Sequence, residues 1–137
     1  MTPLRQRWNC TDTSRPEPYR DGTETTFIES DEHLILLLNE YIVQKPRILC
    51  LEREDGAIVF VGIGNHFGAL TFHVNASDHV GKCATPRETV TNVEQWFICN
   101  GEPSEFKARF LMPTDLLVVV VRTLIVTGEF SDDVNWE

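Results

Sequence analysis

Basic residues are scarce in this chain: 12 Lys and Arg stand against 21 Asp and Glu, a formal charge of −9 over 137 residues. A surface so charged repels phosphate backbones and anionic membranes, and it draws cationic partners inward. Solubility alone would also account for it. Long apolar runs are missing too, and nothing approaches the ~20 apolar residues of a membrane-spanning helix. The first twenty residues carry basic side chains with no apolar stretch behind them, so they do not read as a signal peptide, and a cytoplasmic location is expected. The four cysteines, Cys10, Cys50, Cys83 and Cys99, are scattered and form no CxxC pair. Reduced thiols are expected, not a disulfide framework. The usual catalytic and phosphate-binding signatures (GxSxG, HExxH, the P-loop) are absent.

What is present reads as one domain over residues 1–137. Residues 1–22 hold Pro3, Pro16 and Pro18 and read as an extended or weakly ordered lead-in, with Trp8 as its anchor. A strand is expected over Thr23–Ile28. Ser30 is then a helix N-cap, with Asp31 and Glu32 in the first turn. Leu34, Leu37, Leu38, Tyr41 and Ile42 recur at helical spacing until Pro46 ends the pattern. Arg47–Arg53, Ala57–Ile63 and Ala69–Val74 form three strands of an antiparallel meander, joined at Asp55-Gly56 and around Asn65, His66 and Phe67. Asn75–Arg87 reads as a loop. Thr89–Cys99 and Glu105–Phe110 read as strands on either side of an Asn100-Gly101-Glu102-Pro103 turn.

From Pro113 to Gly128 the chain is harder to assign. Val118 to Val121 are β-branched and favour a strand. Yet Leu117, Val120, Val121, Leu124 and Ile125 share one helical face, and the proline and glycine bracket a span too long for an ordinary strand. The prediction is a helix. Val134–Trp136 closes the chain as a short edge or parallel strand. The fold expected is α+β, a largely antiparallel sheet of about five to six strands with two main helices packed on one face.

Candidate chemistry is sparse. His66, His73, His79 and Cys83 lie close in sequence, but their spacings match no zinc site. Gly62-x-Gly64-x-x-x-Gly68 is not the dinucleotide fingerprint, and tight turns account for it. Ser104 and Thr114 with the histidines make a triad only on paper. Asp31-Glu32 and Asp132-Asp133 suit helix caps or solvent. No cofactor or metal is expected. What remains is acid near turns: Glu54 and Asp55 (with Glu52) at the first hairpin, Asp78 beside His79 in the long loop, and Glu94, Glu102 and Glu105 at the last hairpin. With His66, Phe67 and Trp96 these form a candidate face for a basic protein.

Several motifs then occur in a familiar order between Ser30 and Trp136: Asp55-Gly56, Val61-Gly62-Ile63-Gly64, Gly68-Ala69-Leu70-Thr71-Phe72, Pro103-Ser104, Met112-Pro113, Thr127-Gly128 and Val134-Asn135-Trp136. In these the chain resembles the first immunity-protein family of bacterial polymorphic toxin systems, often found beside nucleic-acid deaminase toxins. It departs from that family after Gly128, where Glu129-Phe130-Ser131 replaces an early proline. The resemblance implies a non-enzymatic inhibitor that binds a cognate toxin, a nucleic-acid deaminase in the commonest pairing, and occludes its active site or substrate groove. Two rival readings are an adaptor or assembly protein that uses the same face, and a small-molecule enzyme built on His66, His73 or Asp78.

Overall fold

The computed structural model describes residues 3–137. Among them the chain forms ten strands and two α-helices: β1 (Pro3–Asp12), β2 (Thr25–Ser30), α1 (Asp31–Ile42), β3 (Arg47–Arg53), β4 (Ile58–Ile63), β5 (Phe67–His73), β6 (Lys82–Pro86), β7 (Gln95–Cys99), β8 (Glu102–Phe106), β9 (Met112–Pro113), α2 (Thr114–Thr127) and β10 (Val134–Trp136). The main sheet runs β10-β6-β5-β4-β3-β1-β2, and every pairing is antiparallel except a single contact of β7 with β3. The fold is α+β and largely antiparallel, with more strands than the five or six expected.

Both helices follow from their sequences. Ser30 Oγ accepts the His33 N–H at 3.0 Å, and Gly128 ends α2 at φ 77°, a left-handed value that glycine adopts without strain. Leu34, Leu37 and Leu38 of α1 and the five predicted positions of α2 are buried in one cluster with Trp8, Cys10, Leu49, Leu51, Val59, Val61 and Leu70 of the sheet. Burial contributes about 1.5–3 kcal/mol for each such side chain. The β-branched run does not matter once that face is packed, because burial outweighs the few tenths of a kcal/mol lost in propensity.

Four expectations need correction. The lead-in is not weakly ordered over residues 3–12; it is β1, paired with β2 on one side and β3 on the other. Trp8 and Cys10 are buried in the core and Leu4 packs against its margin, so the hydrophobic signal of β1 is short. Residues 82–86, read as loop, form β6, a strand in which Ala84 and Thr85 are buried and which exists because β5 and β10 flank it. The strand expected over 89–99 begins only at Gln95. The one expected over 105–110 is shifted to Glu102–Phe106, and Ala108–Phe110 is a 3-10 turn. Asn100 and Gly101 have φ of 56° and 81°, the two positive values of a two-residue hairpin turn, which sets Cys99 opposite Glu102 and fixes that register. Pro103 is tolerated because β8 is an edge strand.

The sheet face away from the helices is covered at one end only. There Phe97 of β7 lies over Gly62, where a Cβ would meet its ring at 3.2 Å, and forms a second small core with Ile48, Ala69 and Leu111. The strand register lays two transverse rows across this face. Thr25–Thr11–Cys50–Phe60–Thr71–Cys83 borders the lid, with Phe60 packed against the second core, and Phe27–Asn9–Glu52–Ile58–His73 lies beyond it. No helix among the described residues is long and apolar enough to cross a membrane.

Candidate protein-docking surface

The β7–β8 hairpin presents two faces because side chains alternate along each strand. Phe97 and Phe106 turn inward and meet edge to face, centroids 5.3 Å apart. Trp96 and Glu105, directly opposed in the ladder, turn outward, and Trp96 is 53% exposed. Glu94 precedes Trp96 and Glu102 sits at the hairpin tip; both are exposed. Among the described residues none of these three glutamates forms an ion pair.

The hairpin is held at both ends. At its tip the N–H groups of Asn100 and Gly101 donate to the carbonyls of Thr13 and Ser14 at 2.5 and 2.9 Å, and Asn100 Oδ1 accepts the Glu17 N–H at 2.8 Å. At its base Gln95 Nε2 donates to the carbonyls of Gly64 and Phe67, both at 3.3 Å. That bond brings the predicted His66 and Phe67, on the β4–β5 turn, to the hairpin. His66 is exposed; Phe67 packs against the second core and is half-buried, so it offers little contact area.

The other predicted residues lie at the opposite end of β4 and β5. Glu54 and Asp55 form the β3–β4 turn. Arg53 clamps Asp55 through bonds of 2.7 and 2.9 Å, which holds its carboxyl below the usual range. Asp78 accepts the N–H groups of Gly81 (3.0 Å), Val74 (3.2 Å) and Val80 (3.3 Å), and these bonds likewise lower its pKa. Its carboxylate therefore organises the loop after β5, and His79 beside it is exposed. Thus the ten residues fall into two groups. Glu94, Trp96, Glu102, Glu105, His66 and Phe67 gather around the hairpin, while Glu54, Asp55, Asp78 and His79 sit at the far end.

Of the residues proposed for an enzyme, His73 and Asp78 meet and His66 lies apart from them. His66 and His73 occupy opposite ends of β5, and His73 Nδ1 is 2.8 Å from the Asp78 carbonyl. Among the described residues no three His, Cys, Asp or Glu side chains are placed to hold a metal ion. Burial pushes the Cys10 thiol up to about 12 and the Cys50 thiol up to about 11, so both are neutral and poor nucleophiles.

Sequence reasoning missed the open sheet face. A polar cleft of about 310 Å³ there is lined by Arg7, Asn9, Phe27, Glu52, Arg53, Glu54 and Gly56. Phe27 is 55% exposed, with the Arg7 guanidinium 5.7 Å from its ring centroid. The alternation Arg7, Asn9, Thr11 against Trp8, Cys10 was the available signal, concealed by the prolines around it. Neither a protein-family model nor a curated protein matches the chain.

Proposed function

We propose that this protein is a non-enzymatic inhibitor that binds a cognate bacterial toxin and occludes its active site or substrate groove. A nucleic-acid-targeting deaminase is the toxin the family resemblance favours. The observation that carries the reading is the outward pair Trp96–Glu105, with Glu94 in phase with Trp96 and Glu102 at the tip, on a hairpin hydrogen-bonded at both ends. A large exposed aromatic on a fixed support suits a binding hot spot, since little conformational freedom is lost when it docks. The carboxylates around it complement the basic groove that a toxin acting on DNA or RNA needs. The net charge of −9 adds long-range steering, which raises the association rate more than the affinity. Speed matters to a producing cell, because every unbound toxin molecule is a hazard to it.

Support also comes from the order of the motifs between Asp55-Gly56 and Val134-Asn135-Trp136. An adaptor would use the same hairpin, and a toxin reading frame beside the gene separates the two. The direct test is co-expression of that neighbouring product with and without this protein, followed by co-purification. Survival of the protected cells and a stable complex are expected. Equal killing in both cultures would sink the toxin reading.

A further inference from the structure

We propose that the groove between the outer faces of α1 and α2 docks one amphipathic, basic helix of a partner protein. This goes beyond the functional reading above and does not depend on it, because the groove lies on the helical side of the sheet and the β7–β8 hairpin on the other. The groove measures about 650 Å³, and its apolar lining is Ile35 and Leu36 of α1 with Val118 and Val119 of α2. Leu36 is 67% exposed and Val119 44%. Each helix carries an unbroken apolar run, residues 34–38 and 116–121, too long to lie on one face. Leu34, Leu37 and Leu38 are buried, as are Leu117, Val120 and Val121, and the groove residues are what the core leaves outside. A helix with one buried stripe ordinarily turns polar residues to water, and a contiguous apolar patch there marks an interaction site.

Charge selects the occupant. The two helices carry four carboxylates, Asp31, Glu32, Glu40 and Asp115, against one cation, Arg122. Asp31 holds Arg122 at 2.7 and 2.6 Å on the groove wall, so that pair is neutral within itself. Glu32 and Glu40 lie one turn on either side of Leu36, and Asp115 one turn before Val119; all three are exposed. The apolar lining is therefore bordered by acid. Its complement is a helix with lysine or arginine along the edges of an apolar face. Their aliphatic stems cover apolar surface while the charged heads reach the carboxylates. An anionic membrane would be repelled by the same border.

Size decides between a single helix and a second copy of this chain. Helices of 12 and 14 residues are about 18 and 21 Å long, and with axes about 9 Å apart they present a face of roughly 400 Å². A stable dimer buries about 800 Å² on each partner. Two copies joined here would reach about half of that area and would set one acidic border against another. One helix lying lengthwise in the groove packs against α1 and α2 together, and meets acid with base on both sides.

The test uses the full-length protein and a fluorescein-labelled peptide of leucine and lysine in helical register, about 14 residues long to match α2. Fluorescence anisotropy should show saturable binding, at least about tenfold weaker when the same residues are scrambled so that no apolar face forms. The amides of Leu36 and Val119 should shift in ¹⁵N spectra of the complex. Leu36→Glu with Val119→Glu should weaken binding at least about tenfold, although the added charge alone would attract the peptide more. Both positions are exposed, so Tm should hold. Independently, Glu40→Lys with Asp115→Lys should weaken binding about fivefold, and Trp96→Ala should leave it unchanged. Equal binding of the scrambled peptide, undiminished binding by either double variant, or shifts gathered on the Trp96 hairpin would each overturn the groove. So would a dimer in sedimentation that Leu36→Glu with Val119→Glu dissolves, since a second copy would then be the occupant. None of these measurements uses a toxin, so failed protection in cells removes the toxin reading and leaves the groove standing.

Discussion

Arg122 of α2 grips Asp31 of α1 through two hydrogen bonds of 2.7 and 2.6 Å, joining residues 91 apart in sequence. Asp31 opens α1, so the pair ties the start of one helix to the middle of the other. The Arg122 guanidinium holds the Asp31 carboxyl below the usual carboxylate range. A depressed acidic pKa stabilises the fold above the unfolded value of about 3.9 and loses that contribution as pH falls through the folded value. Arg122→Ala should therefore lower Tm at pH 6. The gap to the parent should close as the pH falls through the acid range, in melting curves recorded from pH 6 down to 2. A gap that persists at pH 2 would mean that Arg122 acts through packing instead.

Gly68 should not tolerate a side chain. A Cβ there would collide with Leu117 of α2 and come within 2.7 Å of the Gly62 carbonyl oxygen. Gly68→Ala is expected to destabilise the protein by about 1–3 kcal/mol in urea unfolding, the usual cost of overpacking a core. Adding Leu117→Ala should not restore the loss, since the backbone clash remains and a cavity is created.

Trp96 separates binding from stability. Half-exposed and outward on the hairpin, it should cost less than about 0.5 kcal/mol of stability as Trp96→Ala. Binding to the partner should weaken by about 2 kcal/mol, near thirtyfold in Kd, as measured by calorimetry. Charge reversal of Glu94, Glu102 and Glu105 together should instead slow association and flatten its dependence on salt in stopped-flow mixing. An unchanged association rate would place the docking surface elsewhere, with the far group of Glu54, Asp55, Asp78 and His79 the next to reverse.

Cys10, buried and pushed up to about 12, should resist alkylation by iodoacetamide at pH 8 until the chain unfolds. The sign of the pH effect follows from the same shift. The buried neutral thiol stabilises the fold fully below the unfolded thiol pKa, near 8.5, and progressively less as pH rises above it. Cys10→Ser should reduce the steepness of alkaline unfolding between pH 9 and 11.

Local order in this protein was written in short-range pattern. Ser30, Pro46, Pro113 and Gly128 mark helix ends because each acts on the backbone within a turn of itself. The leucine and valine stripes of α1 and α2 repeat along the chain, and the Asp55-Gly56 and Asn100-Gly101 turns need only two residues to be recognised. Assembly was decided by contacts no local window contains. β1 is a strand because β2 and β3 hydrogen-bond both its edges, and β6 because β5 and β10 flank it; neither has enough apolar side chains to announce itself. Likewise, residue type named Trp96 and Glu105, but only the hairpin register made them neighbours, and only the pairing of β1 with β2 and β3 set Asn9 between Phe27 and Glu52. Sequence fixes what a segment can form by itself, whereas backbone pairing between distant segments, which depends little on side-chain identity, is settled when the whole sheet closes.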